Sequence, residues 1–218
     1  MDLTHVDRAY TEIRHCIIEG EYPPGQPLSE VTLAHAHGMS RTPVREALSR
    51  LCHERYVERL SGRGFFVARV TVQAINETFE VRRLVEGWAS ARAAERATPD
   101  LIARLRVLAQ RQDDEVTGVE AGRNNRAFHL AVAAAAGNNL AADLIAQTLA
   151  QIDRFITLGV GFAPFKTGSG AAHSEIVDAI EARNPDEARV RMEQHLDRGL
   201  ALMREAVVGG AFSSVSVT

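Results

Sequence analysis

With 218 residues the chain has room for one large domain or two small ones, and a hydrophobic fraction of 45% is ordinary for a protein with real cores. The formal net charge of −3 gives no sign of nucleic acid, but its distribution does: from Ser40 to Arg69 seven Arg stand against three Glu, a local excess of +4, and the region beyond is net acidic. No apolar run reaches membrane-spanning length and no signal-peptide pattern opens the chain, so a cytoplasmic protein is expected. Cys16 and Cys52 each fall on an apolar helical stripe and read as free core thiols.

Leu3 to Glu19 reads as a first helix with Val6, Ala9, Ile13, Cys16 and Ile17 inward. Gly20 to Pro27 is a turn rich in Pro and Gly. Leu28 to Met39 is a short helix that Ser29 can cap, with Leu33 and Ala34 inward and Gly38 as its left-handed terminator. Ser40 to Leu51 is a further helix. Ser40 or Thr42 can cap it, and Pro43 falls in the first turn, where a missing N–H does no harm. Val44, Ala47, Leu48 and Leu51 recur at i, i+3, i+4 and i+7, which makes one buried stripe. Arg41, Thr42 and Arg45 stand at or near the N-terminal end, off that stripe. Helix N-terminal amides bind phosphate, and an Arg fork suits guanine O6 and N7. Tyr56–Leu60 and Phe65–Val70 are β-rich runs around Ser61-Gly62-Arg63-Gly64, a hairpin. Helix, Gly turn, basic-tipped helix and hairpin together make a winged helix-turn-helix suited to the major groove, with Arg63 at the wing tip in reach of the minor groove.

This stretch resembles the GntR family of bacterial transcription regulators from Ile13 to Val70. The resemblance is carried by Ile17-Ile18-Glu19-Gly20, Tyr22-Pro23-Pro24-Gly25-Gln26-Pro27-Leu28-Ser29-Glu30, Ser40-Arg41-Thr42-Pro43-Val44-Arg45-Glu46-Ala47-Leu48 and Gly62-Arg63-Gly64-Phe65-Phe66-Val67. It implies a regulator, most often a repressor, that binds double-stranded operator DNA as a homodimer, one recognition helix per half-site. The DNA-contacting set would be Ser40, Arg41, Thr42, Arg45, Arg63 and Gly64. A family basic position in the preceding helix is Val31 here.

Beyond a linker at Arg69–Gln73, β signals disappear. Helices are expected over Val72–Ala97, from Thr98-Pro99 to about Val116, over Val119–Ala136, from Leu140 to about Leu158, over Ala171–Arg183, and from a cap at Asn184-Pro185 to about Val208. Gly159 to Gly170 reads as a loop and Gly209 to Thr218 as a frayed tail. The expected architecture is mainly α: a winged helix-turn-helix over 1–70 with a small β-hairpin wing, an all-α bundle over 71–208, and a disordered tail over 209–218.

Three histidines of the second half stand on separate helices. Asn125 lies one turn before His129, on the same face. His173 shares an apolar stripe with Ile176, Val177 and Ile180 and so points inward. His195 is one turn from Met192 and from Gly199, whose small size can leave room. Three imidazoles and an amide oxygen converging in a bundle suit zinc or another divalent transition metal; the alternative is three separate core histidines that never meet.

The second half resembles the FCD domain that accompanies this winged helix in the FadR subfamily, over residues 72 to 207. Val81-Arg82-Arg83-Leu84-Val85-Glu86, Phe128-His129, Gly137-Asn138, His173-Ser174-Glu175-Ile176 and His195-Leu196 carry the likeness. It implies a metal held by Asn125, His129, His173 and His195, with Asn125 in place of the usual Asp. That exchange removes a charge, loosens the hold on a cation and favours an anion in the open positions. Zinc, nickel, cobalt and manganese all suit neutral ligands to some degree. The likeness also implies a small carboxylate effector, bound through Arg82 with Arg83 adjacent; a salt bridge from Arg82 to Glu86 is the competing reading. Arg154 reads as structural. The resulting expectation is an effector-modulated DNA-binding regulator. A metal-sensing regulator is the alternative. A metal-dependent hydrolase or isomerase on the three-His site is disfavoured: it would need a general acid or base within reach of metal-bound water, Glu175 points away from His173, and no nucleophile elbow, P-loop or His-Glu-x-x-His motif appears.

Overall fold

The computed structural model describes residues 4–113, 119–158 and 169–208. They run α1 (His5–Ile18), β1 (Pro27–Leu28), α2 (Glu30–Ala36), α3 (Arg41–His53), β2 (Val57–Leu60), β3 (Gly64–Val67), then α4 (Val72–Arg96), α5 (Pro99–Asp113), α6 (Val119–Ala135), α7 (Asn139–Leu158), α8 (Ser169–Glu181) and α9 (Pro185–Val208). The expected loop lies outside the described residues, save that α8 already begins at Ser169, and so does the expected tail. The chain falls into two compact units, one built on the residues up to Thr71, the other beginning at Val72.

In the first unit α1 packs on α3, and α2 and β2 flank α3. Ala9, Ile13 and Ile17 of α1 and Val44, Ala47, Leu48 and Leu51 of α3 are buried, so the i, i+3, i+4, i+7 stripe is the core face. Val6 and Cys16 are only half-buried, at the edge of that face. Ser29 caps α2 by accepting a hydrogen bond from the Thr32 amide at 3.3 Å. Gly38 (φ +63°) turns the chain from α2 to α3 in a conformation that costs a side chain 1–2 kcal/mol, to order of magnitude. Ser40 sits at the N-cap of α3 but its hydroxyl makes no capping hydrogen bond, and Thr42 is already inside the helix.

The wing is a sheet of three strands rather than a bare hairpin. β3 is central: β2 pairs with it antiparallel from Val57 opposite Val67 to Leu60 opposite Gly64, and β1 pairs on the other edge, Pro27 with Phe66 and Leu28 with Phe65. Pro27 is tolerated because it lies on an edge strand. The hairpin turn needs Gly62 (φ +71°) and Gly64 (φ +90°).

The second unit is helical throughout. α4 packs along α9 and against α6 and α8, and α5 packs on α6 and α8. Ile75, Phe79, Ala89 and Ala93 of α4 are buried, as are Phe128 and Val132 of α6, Ile176, Val177 and Ile180 of α8, and Met192, Leu196 and Met203 of α9. Each fully buried aliphatic or aromatic side chain stabilises the fold by about 1.5–3 kcal/mol. The helix starts are capped as their sequences direct: the Thr98 hydroxyl accepts from Leu101 N, Asn138 Oδ1 from Ala141 N at 3.0 Å, and Asn184 Oδ1 from Glu187 N at 3.2 Å. Among the described residues no helix is long and apolar enough to cross a membrane.

Candidate functional site

On the first unit, Ser40, Arg41, Thr42, Arg45, Arg63 and Gly64 are all exposed. The apolar stripe that buries one face of α3 forces Arg41, Thr42 and Arg45 onto the opposite face. Neither arginine is a free cation. Arg45 donates from Nε to Glu30 Oε1 at 2.9 Å and from Nη2 to Glu30 Oε2 at 2.8 Å, and Arg41 Nη2 reaches the same Oε2 at 3.3 Å. Hydrogen bonds from Arg45, then from Arg41, hold the Glu30 carboxyl below its ordinary range although desolvation acts against them. Spacing did not reveal this pairing, because Glu30 lies on α2. Val31, beside it, is exposed.

On the second unit, His129, His173 and His195 come together, each buried. The Nε2 atoms of His129 and His195 are 3.2 Å apart, and those of His173 and His195 are also 3.2 Å apart. His173 stacks on Phe128, ring centroids 4.0 Å apart, which fixes the imidazole plane. Burial first, then neighbouring rings and the Arg82 charge, hold His173 and His195 well below the ordinary imidazole range, so both are neutral at physiological pH. Asn125 is buried one turn ahead of His129 on α6.

The site also contains residues that the sequence pattern left in the background. Glu86 is buried between Arg82 and His129: Arg82 Nε donates to Glu86 Oε1 at 2.6 Å, and His129 Nδ1 donates to Glu86 Oε2. Burial pushes the Glu86 carboxyl up, but the Arg82 guanidinium and the His129 ring outweigh it and hold it at about 2. An ionised carboxylate only accepts, so the proton sits on His129 Nδ1 and the Nε2 lone pair faces the other two rings. Burial lowers His129 as well, which leaves Arg82 as the cation that balances Glu86. The salt bridge expected as the competing reading of Arg82 is therefore present, yet among the described residues buried Arg82 Nη2 has no partner, and neither has His173 Nδ1.

The remaining assignments divide. Arg83 is not at this cluster: it is exposed and pairs with Asp197 at 3.1 Å and Glu193 at 3.3 Å, because consecutive helical residues point about 100° apart. The room expected next to Gly199 is taken by the Phe79 ring, 3.3 Å from where a Cβ would stand. Glu175 is exposed and paired with Arg191, away from His173. Arg154 is buried over the Phe155 ring, and burial lowers its guanidinium to about 10.

Three neutral imidazoles whose Nε2 atoms converge fit a divalent cation. A tetrahedral ion with nitrogens about 2.0–2.1 Å away spaces those nitrogens about 3.3–3.4 Å apart, close to the two separations found. The hydrogen bond from His129 to Glu86 is the outer support that such ligands normally carry.

A winged helix with an arginine-tipped third helix, followed in the chain by a separate helical unit, defines a DNA-binding regulator rather than an enzyme. Residues 5–67 match the bacterial regulatory proteins of the gntR family, and residues 77–198 match the FCD domain. The chain belongs to the GntR family of transcription regulators, in its FCD-bearing branch. It is 28% identical over 197 residues to the Nta operon transcriptional regulator of Aminobacter aminovorans, covering 85% of this chain and 90% of that protein. It is 26% identical over 220 residues to the HTH-type transcriptional repressor GlaR of Escherichia coli, covering 96% of this chain and 100% of that protein. The solved structure of E. coli McbR/YncC superposes with a TM-score of 0.69 at 23% identity, covering 94% of this chain and all of the other, which speaks for the fold.

Proposed function

We propose that the protein is a repressor that binds operator DNA as a homodimer and responds to a small carboxylate bound next to a divalent transition metal, zinc being the first candidate. Asn125, His129, His173 and His195 would hold the ion, which supplies a positive centre for an anion. The observation that carries this reading is the convergence of three buried Nε2 atoms in the same unit as a buried Arg82 Nη2 that has no partner among the described residues. Arg82 would take the effector carboxylate with the edge that Glu86 leaves free. Ser40, Arg41, Thr42, Arg45, Arg63 and Gly64 would face DNA. An effector that prefers one state of the protein shifts operator affinity by its differential affinity for the two states.

A homodimer is supported by the exposed face of α4 at Val81, Leu84 and Trp88, with Leu84 75% exposed, apolar surface that a second copy would cover. The test is elemental analysis of untagged protein purified without chelator, followed by operator binding with and without a panel of small carboxylates. About one ion per chain, and an affinity change that Arg82→Ala abolishes, is the expected result. Metal-free protein whose operator binding ignores every carboxylate would refute it.

A further inference from the structure

Glu30 of α2 holds both arginines at the tip of α3. Arg45 has five N–H donors, and Glu30 takes Nε–H and one hydrogen of Nη2. The outer edge, Nη1 with the second Nη2 hydrogen, has no protein partner among the described residues and is itself a two-donor fork. That fork is the shape that matches guanine O6 and N7. The arginine side chains are 58–60% exposed while that of Glu30 is 18% exposed, so the acid sits behind the two cations and the cations face solvent. A single acid thus restrains both arginines assigned to DNA.

We infer that Glu30 is a specificity-determining residue, a buttress that aims the Arg45 fork at base edges and withholds Arg41 and Arg45 from indiscriminate phosphate contacts. The inference rests on the reading of α3 as the DNA-contacting helix. Two physical effects support it. A guanidinium already held on one edge loses less conformational freedom when the other edge meets a base. A phosphate lying away from the direction in which Glu30 holds the Arg45 fork is reached only if Arg45 gives up its two hydrogen bonds to a carboxylate that stays behind as a negative charge near the DNA backbone. Both effects raise the ratio of specific to non-specific binding, the quantity that matters against a genome of competing sites.

The test uses the full chain and two probes: the strongest duplex that the wild type recovers from a random-sequence library, and a scrambled duplex of the same composition. Affinities are measured over a salt series for the wild type, Glu30→Gln and Arg45→Ala. Glu30→Gln should bind the scrambled duplex more tightly, with its log–log salt slope steeper by about 1, one added phosphate contact. Its ratio of selected to scrambled affinity should fall at least about fivefold, the low end of what one bidentate base contact is worth. If Arg45→Ala weakens the selected duplex while Glu30→Gln changes neither ratio nor slope, the helix reads DNA and Glu30 is only a structural tie, which overturns the inference. If Arg45→Ala changes neither affinity, the α3 reading itself has failed. Should Glu30→Gln not fold, Glu30→Asp decides: its carboxylate falls one methylene short of the fork, so the ratio should still drop, and an unchanged ratio overturns the inference.

Discussion

Glu86 accepts a hydrogen bond from His129 Nδ1 in the interior of the second unit, and with its other oxygen it accepts from Arg82 Nε at 2.6 Å. One carboxylate therefore sets the tautomer of a metal-type imidazole and holds the arginine assigned to the effector. Removing it should be felt at both.

Glu86→Ala leaves the Arg82 guanidinium buried without its counter-charge. A broken buried pair costs about 3–5 kcal/mol, so the second unit should melt at a clearly lower temperature. Glu86→Gln keeps the volume and an acceptor oxygen for Arg82 but loses the charge, so the melting temperature should fall less than in Glu86→Ala while metal affinity falls about 10–100-fold. Competition titration with a chromophoric chelator, together with thermal melts, separates the two effects.

His173→Ala should abolish stoichiometric metal binding. Asn125→Asp should tighten it by roughly tenfold or more, since ligand charge sets cation affinity. Elemental analysis and the same competition titration read both. An aspartate variant no tighter than the wild type would show that residue 125 does not touch the ion.

Arg45→Ala should lower affinity for the selected duplex at least about tenfold without changing the melting temperature, because the side chain is exposed. Arg83→Ala should leave carboxylate responses as they are, since its guanidinium pairs with Asp197 and Glu193.

In metal-stripped protein, burial and then neighbouring rings depress His173 and His195 below 6.5. The unfolded chain then takes up protons before the folded one as the pH falls. The stability these rings contribute is present above 6.5 and is lost as the pH drops towards their folded values. Melting temperatures measured in steps downward from neutrality should fall steadily, and His173→Gln should flatten the fall. A wild-type profile that stays level would contradict the neutral, buried cluster.

Local signals in the sequence determined a great deal. The apolar stripe from Val44 to Leu51, the Gly38 turn and the Gly62-Arg63-Gly64 wing specified the winged helix, since helical period, positive φ and turn chemistry all act within a few residues. The six helices of the second half were legible for the same reason, as was the inward face of His173. β1 was not: two residues carry no alternation, and Pro27–Leu28 becomes a strand only because Phe65 and Phe66 offer it an edge. Which charges meet was decided by tertiary structure alone. Glu30 reaches Arg41 and Arg45 from another helix, Glu86 meets His129 over 43 positions of chain, and Phe79 fills the space next to Gly199. Sequence period fixes the face a side chain occupies, but the partner waiting there is set by how helices far apart in the chain pack.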